Sequence, residues 1–154
     1  MTRRSSDSRP CVFLRVCDRA RVLDADGSPV RFPTHKSLAL FIYLARAGDA
    51  GAARDHLSEL FWPGRPDHDA RRALRGTLHE MRSAICFSAD KIIRQARDRV
   101  SLKQAAIATD LDFEKRDCAT TAGDFLVGLE IGTPGFDHWC AEERARLRDA
   151  ALNT

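Results

Sequence analysis

The segment that most constrains the fold is an amphipathic stretch over residues 68–87, HDARRALRGTLHEMRSAICF. Its larger apolar side chains recur every three or four residues, which predicts a helix with one apolar stripe. The stripe consists of Ala70, Leu74, Leu78, Met81 and Ile85. The opposite side carries Arg71, Arg72, Arg75, His79 and Arg82. A helix that packs on one face and is basic on the other suits the major groove of DNA, and a solvated basic face is the alternative.

The charge of the chain is unevenly distributed. The net charge is only +3 at pH 7 for 154 residues. Residues 71–103 contain nine Lys/Arg and three Asp/Glu, whereas residues 104–154 contain five and ten. A basic middle attracts a polyanion, and an acidic end is repelled by one. We therefore expect two surfaces with different partners, the acidic one meeting protein.

The residue types disfavour several function classes. The five cysteines are scattered and form no CxxC pair, which argues against a zinc ribbon or a redox motif. His138 and Cys140 lack further metal ligands at suitable spacing. The sequence has no P-loop, glycine-rich dinucleotide turn or Ser/His/Asp set, so we expect no enzyme activity, metal or cofactor. Without a membrane-spanning run or a signal peptide, the pattern predicts a cytoplasmic protein with free thiols.

The N-terminal part predicts a small antiparallel sheet. β-rich runs cover residues 11–16 and 20–23. An Asp/Gly turn follows at residues 24–27, and residues 30–32 lead out of it as a third extended piece.

Two helices are predicted before the basic segment. Thr34 is a candidate N-cap for an apolar helix that ends at Gly48. A shorter helix over residues 54–62 ends at a Pro-Gly-Arg-Pro turn, since proline cannot continue it. Asp67 or Asp69 then caps the long basic helix.

A basic β-hairpin is predicted over residues 91–103, KIIRQARDRVSLK. Ile92 with Ile93, and Val100 with Leu102, give two strands around a polar turn. Its candidate binding side chains are Arg94, Arg97 and Arg99, with Lys91 and Lys103 at its ends. Alone, the hairpin could be a solvated ribbon. A basic helix followed directly by a basic hairpin instead predicts a winged helix, with the helix in the major groove and the hairpin against the backbone or minor groove.

The acidic end predicts one more helix, over residues 134–152. Its apolar side carries Phe136, Trp139, Cys140 and Leu147, and its other sides carry Glu142, Glu143, Arg146 and Arg148. Little chain remains to cover the apolar side. We expect it to lie on the winged helix, on a second copy of the chain in a homodimer, or on residues that a longer protein would supply.

Several runs together resemble a known family. VLDADGSPVRFPTHKSLALFIYLA, LSELFWPGRPDHDARRALRGTLHEMRSAI and RDRVSL look like the DNA-binding half of bacterial transcriptional regulators of the antibiotic-regulatory-protein (SARP) type. GDFLVGLEIGTPGFDHWCAEERARLR resembles the start of the bacterial transcriptional activator domain that follows in those proteins. The most specific parts are LFWP with the helix after it, and FxxWxxxERxRL.

The resemblance implies an α+β fold. Residues 11–104 would form a winged helix-turn-helix with an N-terminal antiparallel sheet, three helices and a C-terminal hairpin, and residues 105–154 a truncated activator-like helical segment. It implies binding to double-stranded promoter DNA, often as tandem copies on direct repeats, and contact with RNA polymerase. Residues 68–87 would be the recognition helix, and the loop over residues 62–67 would touch polymerase or the DNA backbone. The implied DNA-binding residues are Arg71, Arg72, Arg75, His79, Arg82, Arg94, Arg97 and Arg99.

Two departures from the family keep a second interpretation open. Gly76 lies in mid-helix, where glycine costs about 1 kcal/mol relative to alanine. It either permits close approach to DNA or marks a chain that no longer binds tightly. The activator-like segment stops after one helix, so the chain is a fragment of a larger regulator or a short regulator with a reassigned helix. The alternative is a protein-interaction module of winged-helix shape that binds RNA polymerase or another regulator without tight DNA binding.

Overall fold

A computed structural model describes residues 11–16, 19–85, 89–109 and 126–152, without the side chains of the last three. Within these ranges the chain forms two three-stranded sheets around a group of helices. The buried apolar side chains of both sheets and of the longer helices join into one core.

The first sheet combines an N-terminal hairpin with a strand from much later in the chain. Strands β1 (Val12–Arg15) and β2 (Arg21–Asp24) pair antiparallel, as predicted. The predicted third piece at residues 30–32 is wrong as a strand, because the ladder stops at a single bridge between Leu23 and Pro29. One more hydrogen bond follows, from the Val30 N–H to the Val22 carbonyl oxygen at 2.9 Å, and residues 31 and 32 belong to no strand.

The first helix, α1 (His35–Ala47), begins as predicted at Thr34. The Thr34 hydroxyl accepts a hydrogen bond from the Ser37 backbone N–H at 3.1 Å, and the Ser37 hydroxyl accepts from the Thr34 N–H at 3.2 Å. This reciprocal capping satisfies two backbone donors at the helix start. Thr34 Oγ1 also lies 2.6 Å from Glu80 Oε1, which ties the start of α1 to the long basic helix.

A short strand, β3 (Ala52–Ala53), leads into α2 (Arg54–Phe61), and the long basic helix α3 covers Asp67–Ala84. All five residues of the predicted apolar stripe are buried, which confirms the periodicity. The predicted cap was wrong, because Pro66 is the N-cap and Asp67 and Asp69 lie in the first turn. In the first turn their negative carboxylates lie near the positive end of the helix dipole, which stabilises the helix. Residues 86 and 87 of the predicted recognition helix lie outside the described residues.

The predicted hairpin forms with one correction. A helical turn, α4 (Ala89–Ile92), precedes strands β4 (Ile93–Gln95) and β5 (Arg99–Leu102), which pair antiparallel. Lys91 and Ile92 are therefore in the turn rather than in a strand. Ala89 and Ile92 are three residues apart, so one helical turn buries both side chains.

The other edge of β5 pairs with β3, and this contact needs a glycine. Gly51 has φ = +67°, and a Cβ atom there would lie 2.1 Å from the Val100 carbonyl oxygen. Any side chain at position 51 would push the α1–α2 connection away from the hairpin. Residues 107–109 form β6 (Ile107–Thr109), which pairs in parallel with β1 and completes the first sheet.

The last helix, α5, covers Pro134–Leu152, the predicted bounds. Its apolar side lies on the same chain: the Phe136 ring is 4.8 Å from that of Phe61 in α2, and the Trp139 ring is 4.9 Å from that of Tyr43 in α1. The apolar side of α5 thus packs on the helices of the winged-helix part, which was the first of the three expected neighbours. These contacts do not test the homodimer, which stays a prediction.

One residue of α5 lies on a different side of the helix from the predicted one. Glu143 is 4% exposed, whereas the sequence pattern predicts it on a polar side, so that prediction is wrong. It lies between Cys140 and Leu147 at helical spacing, so it faces the buried side. Its carboxylate pairs with Arg46 of α1 at 3.3 Å and with Arg146 at 3.2 Å, which supplies the partners that a buried charge requires.

The thiol of Cys140 should be unreactive in the folded protein. The residue is fully buried, and burial raises the pKa of its thiol to about 12. At pH 8 the thiol is therefore almost entirely neutral, and the thiolate is the reactive form. We expect iodoacetamide to leave Cys140 unmodified until the protein is unfolded, while the half-buried Cys11 reacts faster. Peptide-resolved mass spectrometry measures both sites, and native labelling of Cys140 as fast as Cys11 would contradict the packing of α5.

Candidate nucleic-acid interface

The outer face of α3 is exposed and basic. Arg71, Arg72, Arg75 and His79 are all exposed, as predicted. Arg75 makes no ion pair or hydrogen bond with the described part of the chain, so its five N–H donors are free for a ligand. The geometry leaves a line of exposed basic side chains along about two turns of helix.

An open groove of about 330 Å³ lies between α3, the start of α2 and the hairpin turn. Its floor includes Leu74, a residue of the apolar stripe. Its lining includes four arginines and two aspartates: Arg54, Arg71, Arg75, Arg97, Asp55 and Asp98. The groove thus brings two predicted α3 residues beside one predicted hairpin residue, with an excess of positive charge.

The start of α2 holds the hairpin turn in place. The Arg54 backbone N–H donates to the Asp98 carbonyl oxygen at 2.8 Å, and the Arg54 side chain donates from Nε to the Ala96 carbonyl oxygen at 3.2 Å. Ala53 also faces Arg99 in the β3–β5 ladder. These bonds fix the turn that carries Arg97 relative to the start of α2, a helix that packs against α3.

Asp55 reduces the free positive charge of the groove. Its Oδ1 lies 3.4 Å from Arg71 Nη2, with the two side chains 81% and 59% exposed. An exposed ion pair of this kind contributes only about 0–1 kcal/mol, because water screens it. Arg71 can therefore exchange Asp55 for another anion at small cost.

The remaining predicted residues lie outside the lining of this groove. Arg72 Nη2 is 3.4 Å from His68 Nε2, one turn earlier in α3. Arg82 pairs with Asp90 at 3.1 Å, and Arg99 donates from Nη1 to the Ala50 carbonyl oxygen at 3.1 Å. His79 and Arg94 are exposed. The structure therefore joins Arg71, Arg75 and Arg97, and gives Arg82 and Arg99 partners within the chain.

Sequence reasoning missed Arg54, Asp55 and Asp98 as lining residues. The sequence predicts Arg54 and Asp55 only as the first turn of a short helix, and Asp98 only as a residue of the hairpin turn. The two-residue strand β3 brings them to the hairpin, and Ala-Ala carries no strand pattern. Nothing in the sequence signals this pairing.

The described residues contain no cluster of three His, Cys, Asp or Glu side chains that could hold a metal. His138 pairs instead with Glu142 at 3.6 Å, one turn along α5. Across the same ranges, no helix combines the length and apolar character that a membrane span needs.

No family model and no curated protein matches the chain. Among solved structures it is similar to Mycobacterium tuberculosis EmbR in complex with a low-affinity phosphopeptide. The identity is 18%, the TM-score is 0.57, and the match covers 93% of this chain and 34% of that chain. The chain spans about a third of the length of EmbR.

The similarity to EmbR concerns the fold. At 18% identity, a TM-score of 0.57 over nearly the whole chain indicates the same arrangement of helices and small sheets. The α+β class predicted from the sequence is confirmed. Because the match runs through 93% of the chain, it extends beyond residue 104 into the acidic end.

Proposed function

We propose that this chain is a sequence-specific, DNA-binding transcriptional regulator of the cytoplasm. Residues 11–104 would form its winged-helix domain and residues 105–154 an activator-like segment, whose strand β6 completes the first sheet of that domain. The observation that carries the proposal is the groove in which Arg71 and Arg75 of α3 meet Arg97 of the hairpin. A recognition helix and a wing that act on one duplex must present their cations to the same side.

The mechanism follows from how weakly each cation is held within the chain, since the exposed pair between Arg71 and Asp55 exchanges at small cost. Arg71 and Arg97 neutralise phosphates and release counterions, so affinity falls steeply with salt. Arg75 has no partner in the described structure, and its fork of donors fits guanine O6 and N7 in the major groove. In this assignment phosphate contacts set the register and Arg75 reads a base. Arg72 and His79 extend the contact along α3, and Arg82, Arg94 and Arg99 lie at its edge.

The comparison supports this proposal at the level of the fold. EmbR is a regulator of the SARP family, the family that the sequence resembles. The structure in which it was solved also contains a phosphopeptide, so a protein partner is a second class of ligand to consider. The part of EmbR that this chain matches is about a third of that protein.

We place the contact with RNA polymerase at the loop over residues 62–67. The Lys36 ammonium holds this loop, because Nζ donates to the Phe61 carbonyl oxygen at 3.1 Å and lies 4.9 Å from the centre of the Trp62 ring. A second groove of about 310 Å³ runs beside the loop. Its lining includes three carboxylates, those of Asp55, Glu59 and Asp67, and two arginines, Arg65 and Arg71. The carboxylates exceed the arginines by one, so the groove is mildly acidic and favours a basic group on a protein partner.

Removing the carboxylate of Asp55 should strengthen DNA binding. Asp55→Asn frees Arg71 and removes one negative charge from the groove, so we expect affinity for duplex DNA at low salt to rise about threefold to tenfold. Fluorescence anisotropy measures the change. Asp149→Asn is the matched control, since it makes the same charge change on the exposed side of α5. Equal effects of the two variants would show that only net charge matters and would contradict the groove assignment.

Selection of bound sites from a random duplex library tests the function itself. A DNA-reading regulator enriches a defined sequence, and its affinity falls linearly on a log–log plot against salt. The ion pairs at Arg71 and Arg82 favour the second candidate, a protein-interaction module of the same shape, because they occupy two of the predicted cations. Absent or salt-independent duplex binding would support that candidate and reject the first.

A further inference from the structure

Gly76 is a glycine that no contact among the described residues explains. It is exposed in the middle of α3, and a Cβ atom built there would meet no heavy atom within 4 Å among the described residues. Glycine destabilises a helix interior relative to alanine. Gly76 therefore destabilises α3 without permitting any close packing among the described residues.

The other described glycines differ from Gly76 in this respect. Six have positive φ, a conformation that side chains disfavour: Gly27, Gly48, Gly51, Gly64, Gly128 and Gly132. Gly135 has a neighbour instead, since its Cβ would lie 3.2 Å from Leu60 Cδ1. Within the described ranges, only Gly76 combines ordinary helical backbone with open space.

The surroundings of Gly76 indicate what approaches it. Arg72, Arg75 and His79 lie within about one turn of it and are exposed. The nearest carboxylate along the helix, that of Glu80, accepts a hydrogen bond from Thr34 at the start of α1. Two exposed guanidinium groups beside an open backbone position favour a polyanion as the ligand.

We propose that Gly76 is the point at which duplex DNA comes closest to the backbone of α3. Atoms that line the major groove of the DNA occupy the space that a Cβ of residue 76 would fill. Arg72, Arg75 and His79 surround these atoms. This inference deepens the proposed function and rests on it. It adds a steric requirement that charge alone does not impose, and it explains why the helix retains a destabilising residue.

The test uses opposite effects on folding and binding. Gly76→Ala should raise Tm by about 2–4 °C, because alanine favours the helix. The same variant should weaken binding to the duplex recovered by site selection by about threefold to tenfold. Gly76→Leu should weaken it further, by more than about tenfold. Ala141→Leu is the matched control, since it adds bulk at an exposed position of α5 and should leave the affinity unchanged.

The possible results separate the two proposals. A higher Tm with weaker duplex binding in Gly76→Ala, graded further in Gly76→Leu, supports the inference. A higher Tm with unchanged or stronger duplex binding overturns it and leaves the proposed function standing. If the unmodified chain binds no duplex at any salt concentration, the proposed function fails and the inference with it. Weakened binding to purified RNA polymerase with unchanged duplex binding also overturns it.

Discussion

Replacing Arg71, Arg75 and Arg97 together by alanine should lower the affinity for duplex DNA by about 100-fold or more at low salt. The three side chains line one groove, so the variant removes cations from both α3 and the hairpin. The slope of log affinity against log salt should become shallower by about one for each lost phosphate contact. Anisotropy titrations at several salt concentrations measure both quantities.

The control variant removes the same charge elsewhere. Arg19, Arg21 and Arg31 are exposed in the N-terminal part, outside the lining of the groove. Replacing these three by alanine should change the affinity much less. Among the groove residues, Arg75→Ala alone should cost about 1–3 kcal/mol and relax the preference at one base pair. Equal losses in the two triple variants would mean that binding follows net charge, and the groove would have no special role.

Truncating Phe136 to alanine should destabilise the whole protein by about 3–5 kcal/mol. The side chain is fully buried and packs on Phe61 of α2 and beside Trp139. Its loss leaves a cavity between α5 and the rest of the fold, and the neighbouring rings can fill it only partly. Urea denaturation should give a lower midpoint with an unchanged slope, since the native surface stays the same.

A substitution on exposed surface provides the comparison. Val127 is 40% exposed, so Val127→Ala should change the free energy of unfolding by no more than about 0.5 kcal/mol. If Phe136→Ala were as mild, α5 would not be an integral part of the fold. A two-step transition in which α5 unfolds first would likewise show that it is a separate unit.

The sequence predicts best those features that depend on local spacing. The bounds of α5, the cap at Thr34 and the buried stripe of α3 all follow from side chains three or four residues apart. Periodicity reports only which sides of a helix are apolar. Periodicity does not predict that Glu143 is buried, because the residue type is the same whether a glutamate pairs with a buried arginine or lies in water.

Features that join distant segments could not be predicted. β6 pairs with β1 across more than 90 residues, and its three residues carry no sign of that partner. Arg54 reaches the hairpin turn through backbone carbonyl oxygens, which every residue possesses. For the candidate site, the sequence therefore identifies the cations of α3 and the hairpin. It does not identify the acids that compete for them or the arginine that positions the turn.

The central claim is that α3 and the hairpin turn form one DNA-binding surface. Chemical-shift mapping of the isotope-labelled protein, titrated with a short duplex, tests it most directly. We predict changes in the backbone amides of residues 71–79 and 96–98 and in the guanidinium signals of Arg75 and Arg97, with little change in α5. Changes confined to α5 or to the loop over residues 62–67, or no changes at all, would contradict it.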